Sequence, residues 1–387
     1  MNILCLGGAG KICREAVLDL AVFSDVSKIT IADIDAAAAE EVAAGLHDPR
    51  VDVCRVNIQD RAQTVQLMRG YDLVMDGLTI SMNDLSTACM AEAGVNGINL
   101  NGCSTEWSYD QSFKDRGRVF VPGMGMTPGI TNLLARYAAD RLNTVDTIRI
   151  SHGAFRPVAF SPSIAETTRM EYDPDLPTRL VFEDGQFVQV PPFARPREIE
   201  LPEPFGTHTQ YIIPHAETLS LPSSLEGKGL RLLEVRGTWP PENMELIRVL
   251  HEWGFLRNDR IRVQDQDIGI LDAIAAYLLQ SPEGRHTKLY GYALHVEVVG
   301  EKDGQKQQHV LTHTHPPSDG TVKDWEGLRA YTRNVGIPLS IGAQIITKGL
   351  VQKTGVLAPE LAFDPETVFQ ELARRQLLIQ EQVIPQA

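Results

Sequence analysis

Pro214-His215-Ala216-Glu217-Thr218 places an imidazole and a carboxylate two residues apart. In an extended segment alternate side chains project to one side. The carboxylate can then orient the ring, and the ring can accept or give a proton. The same spacing also suits a surface turn with a hydrogen-bonded histidine. Arg236-Gly237-Thr238-Trp239-Pro240 sets a guanidinium beside a glycine and an aromatic ring. Its fork can hold a carboxylate at two points, or it can pair with Glu234 at a sheet end. Glu166, Thr167, Arg169 and Tyr172 form a third group, in which Glu166 and Arg169 have the spacing of a solvated helix ion pair. His152 follows a strand-like run, a place for site residues and for satisfied core histidines alike. His313-Thr314-His315 has no third ligand of suitable type nearby, so no metal centre is expected.

A second chemistry is written at the N-terminus. The apolar run Ile3-Leu4-Cys5-Leu6 meets Gly7-Gly8-Ala9-Gly10-Lys11-Ile12-Cys13, a helical pattern follows, and a second β-like run, Ile29–Ala32, ends on Asp33. A strand, a glycine turn, a helix and an acid roughly 20 residues further on form the dinucleotide-binding signature. The spacing predicts Gly8, Gly10, Lys11 and Ile12 at a pyrophosphate and Asp33 at a ribose. Cys13 stands where a glycine or alanine usually controls helix–strand packing. No cation except His47 lies between Asp33 and Pro49. A ribose phosphate ~4 Å from Asp33 would meet repulsion of ~1 kcal/mol in water and ~4 kcal/mol at an effective dielectric of 20. NAD is therefore expected over NADP.

These groups need elements to hold them. The first ~125 residues alternate strand-like and helical runs, the pattern of a parallel sheet with helices on both faces. Ligands in such sheets bind beyond the carboxyl ends of the strands. That rule adds Gly77, Leu78 and Ser104 to the nicotinamide half of the site, and Gly125, Pro128 and Gly129 beside it, ahead of the helical run Ile130–Leu142. From about Asp146 the texture is α+β. Phe193 to Gly206 reads as loop rich in Pro, Glu and Arg, Lys288–Val299 and Gln307–His313 read as a long hairpin, and the chain beyond Gly336 reads as helical. The expected fold is α/β: a Rossmann-type doubly wound parallel sheet over residues 1–127, joined by C-terminal helices 337–387, plus an α+β substrate and dimerisation domain over 128–336.

Bulk composition narrows the classes. With 43% hydrophobic residues the 387-residue chain can bury a large core. A net charge of −14 argues against nucleic acid and anionic membranes as partners. The five cysteines include no CxxC, so buried free thiols in a reducing compartment are expected. No leader-like or membrane-spanning run is seen, and a cytoplasmic location is expected.

Five segments then resemble the saccharopine dehydrogenase-like family, which includes lysine 6-dehydrogenases: "CLGGAGKIC…ITIADID", "VPGMGMTPGITNLLARYAADRL", "SPSIAETTRMEYDPDLPTRLVFEDGQFVQVPPF", "YIIPHAETLSLPSSL…LEVRGTWPPENMELIRVLHEWGFL" and "GIPLSIGAQIITKGLVQKTGVLAPE". They occur in the family's order along most of the chain. The resemblance implies an NAD(P)-dependent oxidoreductase acting on a C–N bond of an amino acid, and a chain that returns to its nucleotide domain near the C-terminus. A compact chain with one substrate domain favours the lysine 6-dehydrogenase branch. Reductive coupling of the saccharopine or carboxynorspermidine type is the alternative, and a non-catalytic NAD sensor is a third reading. An amine with a pKa near ~10.4 costs about 4–5 kcal/mol to deprotonate at pH 7. His215 and Glu217 are the candidate base, Arg236 the carboxylate clamp and Glu166 a further catalytic group. A homodimer acting on a small-molecule amino acid is expected.

Overall fold

The computed structural model describes residues 1–386 apart from Cys103, Asn258 and residues 283–286; the side chains of Ser104 and Arg169 also lie outside the description. The chain divides into two units, residues 1–136 with 332–375, and residues 137–331 with 376 onward.

The first unit is built on a seven-stranded sheet, parallel throughout. In chain order its strands are β1 (Asn2–Leu6), β2 (Lys28–Asp33), β3 (Val51–Arg55), β4 (Leu73–Asp76), β5 (Asn96–Asn99) and β6 (Val119–Val121), with Gly355–Val356 at one edge. The spatial order reverses at β1, which lies between β2 and β4. Ile3, Leu4, Cys5 and Leu6 are fully buried, as expected of a parallel strand covered on both faces. The helices between strands start on their sequence signals: Asp35 accepts from the Ala38 N–H, Asp60 from Gln63 and Asp364 from Thr367. Inside this unit the buried Arg375 guanidinium meets Asp19 at 2.6 Å, which ties the late helices back to the first one, Cys13–Phe23. Cys5, Cys13 and Cys89 are buried free thiols and Cys54 is half-buried.

The second unit is a nine-stranded mixed sheet. Its strands include β7 (Thr144–Phe155), the hairpin β8 (Leu180–Glu183) and β9 (Gln186–Gln189), β10 (Arg197–Leu201), β11 (Gly206–Ile212) and β12 (Leu232–Thr238). A separate small hairpin, β13 (Arg260–Val263) with β14 (Gln266–Gly269), precedes the long pair β15 (Gly291–Lys302) and β16 (Gln305–His313). β12 runs parallel to β7, and β15 antiparallel to it. Val235, Ile150 and Val296 stand in register and are fully buried.

Two sequence expectations are corrected here. Arg197–Leu201 is a strand rather than loop, because Ile199 and Leu201 alternate with polar residues and bury on one side. The C-terminus is not helical to its end: Ile379–Pro385 is a strand paired antiparallel to β16. It belongs to the second unit, not the first, because an unfilled strand edge accepts any run that can complete its hydrogen bonds. No helix among the described residues is long and apolar enough to cross a membrane.

Candidate active site

The glycine turn has the close packing that a dinucleotide cradle requires. Gly7 has φ +63°, and the Gly10 N–H donates to its carbonyl at 2.9 Å. A Cβ on Gly8 would stand 2.8 Å from the Cys5 carbonyl oxygen, and one on Gly10 3.0 Å from the Gly7 oxygen. Larger residues would fill the space a pyrophosphate needs. Lys11 is exposed, and Ile12 is the residue at which the Cys13–Phe23 helix begins. Asp33 closes the turn, its two oxygens accepting from the Ala9 N–H at 3.2 Å and the Asp35 N–H at 3.1 Å. A carboxylate has about four acceptor sites, which leaves lone pairs for ribose hydroxyls.

Cys13 is explained by its neighbour on β4's end. A Cβ on Gly77 would stand 2.6 Å from Cys13 Sγ, so the glycine at 77 makes room for the thiol at 13. The thiol donates to the Leu6 carbonyl at 3.6 Å, and burial pushes its pKa well up.

The strand ends are pinned by buried polar groups. Asp76 accepts from Ser86 Oγ at 2.5 Å and from the Leu78 N–H at 2.8 Å. Burial nevertheless pushes its carboxyl up to about 6. The Gly125 N–H donates to the Pro128 carbonyl at 2.8 Å, and Gly129, at φ +121°, lies so close to Gly125 that only a glycine fits. The side chain of Ser104 lies outside the described residues. Within the first unit the structure therefore gathers every other expected nucleotide residue on the turn or in strand-end loops.

It also brings in one residue that bears on the expected cofactor preference. Arg55, at the end of β3, stands in register beside Asp33 at the end of β2. A cation absent from the local sequence thus arrives from the next strand.

In the second unit, His215 is extended (φ −141°, ψ 151°) but caps the helix Ala216–Ser224, so Glu217 lies in the first helical turn and not in an extended segment. They still meet: His215 Nδ1 lies 3.3 Å from Glu217 Oε2, with the carboxylate fully buried. Burial lowers the imidazole's pKa, but the charge of Glu217 beside it, with Glu171 behind, outweighs that and raises it. With Nδ1 facing Glu217, Nε2 is the atom left to exchange a proton.

A run of rings extends from this pair. His152 lies 5.4 Å from His215 and stacks on Tyr292 at 5.6 Å; Tyr292 stacks on Tyr331, also at 5.6 Å. Gly237 makes the space for His152, since a Cβ there would stand 2.7 Å from the ring's Nε2. Burial, with His215 and Arg156 nearby, holds His152 well below the usual imidazole range. The Arg156 guanidinium lies 5.1 Å from the Trp239 ring and 5.6 Å from that of Tyr331, and donates to the Pro157 and Val158 carbonyls at 3.0 and 3.2 Å.

Arg236 lies elsewhere. It sits on the sheet face opposite that of His152, with Nη2 2.8 Å from Glu234 Oε2 and Nη1 donating to the Arg195 carbonyl. The pairing with Glu234 that the sequence left open is the one observed. Glu166 is half-buried on the helix Pro162–Tyr172, and the Arg169 side chain lies outside the described residues. The buried carboxylate of that helix is Glu171, 8% exposed. The sequence reading passed over Glu171, Arg156, Tyr292 and Tyr331. Arg156 directly follows β7, so the strand-end rule applied to His152 would have found it; the others carry no local signal. No group of three or more metal-ligating side chains occurs among the described residues.

Comparison with known proteins covers both units. Residues 3–121 match the family model of the saccharopine dehydrogenase NADP binding domain, and residues 125–377 that of the saccharopine dehydrogenase C-terminal domain. A carboxyaminopropylagmatine dehydrogenase from Synechocystis sp. is 25% identical, with 94% of each chain covered. A carboxynorspermidine synthase from Vibrio cholerae is 22% identical, covering 93% of this chain and 92% of the other. Among solved structures, a saccharopine dehydrogenase (L-Glu forming) from Saccharomyces cerevisiae aligns over 99% of both chains with a TM-score of 0.73 at 14% identity, which supports the fold.

Proposed function

We propose a function from one premise: the chain belongs to the saccharopine dehydrogenase family. It is an NAD(P)-binding oxidoreductase of that family. Within that frame, our reading is hydride transfer at a C–N bond between a polyamine-type amine and a carboxyl-bearing carbon chain, in the direction of reductive coupling. The observation that carries it is the match along almost the whole chain to two relatives named for carboxylated polyamines. The compactness that favoured a lysine 6-dehydrogenase loses its force, because those relatives are matched along nearly their full length too.

The chemistry suits the second unit's cluster. An amine and a carbonyl condense to an imine with loss of water, and reduction of the protonated imine adds hydride to carbon. A bound nicotinamide supplies that hydride when the enzyme runs in this direction. Gly8, Gly10 and Asp33 would hold the dinucleotide, and Gly125, Pro128 and Gly129 would flank its nicotinamide end. His215 delivers the proton to nitrogen from Nε2, and Glu217 keeps the imidazolium oriented and charged. In reverse the same ring removes the proton, so that the nitrogen lone pair can form the C=N bond as hydride leaves the carbon. Arg156 offers a guanidinium to a substrate carboxylate. Asp33 favours NAD, and Arg55 reduces that preference.

The test is nicotinamide absorbance with NADH and NADPH over diamines, a guanidino amine and lysine, each with carboxyl-bearing aldehydes and 2-oxo acids, in both directions. Turnover on coupled diamines at ten times or more the lysine rate is expected. Turnover on lysine alone would return the reaction to oxidative deamination, and no turnover with cofactor still bound would leave a nucleotide sensor.

A further inference from the structure

We propose that Glu171 is the carboxylate that receives the remote cation of the substrate amine, an ammonium or guanidinium held away from the reacting nitrogen. The inference rests on the amine reading above and deepens it. Glu171 ends the helix Pro162–Tyr172 and is 8% exposed. Among the described residues no hydrogen bond or ion pair reaches its side chain, although Arg179 donates to its backbone carbonyl at 2.8 Å. That condition is costly: a carboxylate only 8% exposed keeps little of its hydration, and no side chain among the described residues replaces it by direct contact. The other buried glutamates of this unit are met. Glu217 has His215, Glu234 has Arg149 and Arg236, and Glu297 has Arg197 and His295.

The nearby cations do not supply the missing partner. Arg156 spends an amino group on two backbone carbonyls and its face on Trp239 and Tyr331. Arg179 donates to the carbonyls of Glu171 and Asp173. Burial raises the Glu171 pKa, and His215, Arg156 and Arg179 offset only part of that through space. A ligand cation would complete the pairing the protein leaves open, and a neutral alkyl end would not.

The test uses the holoenzyme and Glu171→Gln, which keeps size and removes charge. Calorimetry with 1,4-diaminobutane and with butylamine is expected to show the diamine bound at least tenfold tighter by the wild type. In Glu171→Gln that ratio should fall to near one with the melting temperature held, and Glu171→Asp should restore part of it. In turnover the diamine KM should rise tenfold or more with kcat within threefold. A preserved ratio in Glu171→Gln, or none in the wild type, would overturn the subsite, because a neutral donor would then suffice. Loss of the ratio in an enzyme that turns over no amine would keep the subsite and sink the reaction. Diamine turnover with unchanged KM in Glu171→Gln would do the reverse.

Discussion

Two groups of charge in the second unit differ in how their members are spent. On one sheet face Glu234, Arg149 and Glu297 stand in register across β12, β7 and β15, and Arg236, Arg197 and His295 close the remaining pairs. Around His152 and His215 the pairing is incomplete: Glu217 meets His215, and among the described residues no side chain meets Glu171. Residue type does not separate the two groups, since both contain Arg, Glu and His. What separates them is whether each buried carboxylate meets a cation among the described residues. Carboxylates paired across strands hold the sheet together, and one left without a direct partner keeps capacity for a ligand.

The largest test of that contrast is Arg236→Ala. Removing one of its two partners leaves the buried Glu234 with Arg149 alone, a loss of about 3 kcal/mol, the lower end for a broken buried pair. Denaturant unfolding should show it, while kcat per folded molecule stays within threefold. A hundredfold loss of kcat at unchanged stability would move Arg236 into the open group. His215→Ala should differ in turnover. Loss of a positioned proton carrier lowers kcat per folded molecule by about 100-fold, or ~3 kcal/mol in the barrier, on top of the lower denaturant midpoint expected when the buried Glu217 loses this partner.

Protonation sharpens the contrast further. His215's folded pKa lies above the unfolded value of about 6.5. The pair's stabilisation is therefore complete below pH ~6.5 and is lost as pH rises through the folded value. Glu217→Gln should move the corresponding limb of the kcat profile to lower pH; an unmoved limb would remove the carboxylate from the pair. The smallest effect concerns an exposed charge. Arg55→Ala should lower kcat/KM with NADPH by about fivefold, ~1 kcal/mol in a highly screened setting, and leave NADH within twofold.

The nucleotide half was legible because its requirements are local. Gly8, Gly10 and Asp33 act through backbone shape and a fixed distance along one strand–turn–helix unit, and the structure keeps them together on one turn. Cys13 looked like a departure until Gly77, 64 residues on, supplied the space. The strand Ile379–Pro385 was unreadable for the same reason, since its pairing with β16 is set by an edge that local periodicity does not encode.

By itself the sequence determined the alternating α/β frame, the glycine turn and the His215–Glu217 pair, because each depends on neighbours within about 30 residues. Only the tertiary structure decided which charges remain open. Arg236 and Arg156 are both guanidiniums near strand ends, yet strand alternation and register turn one toward Glu234 and leave the other beside Tyr331. Burial also belongs to the assembled unit, and it makes Glu171 a buried carboxylate with no direct side-chain partner among the described residues, where the bare sequence offers one more glutamate in a polar helix.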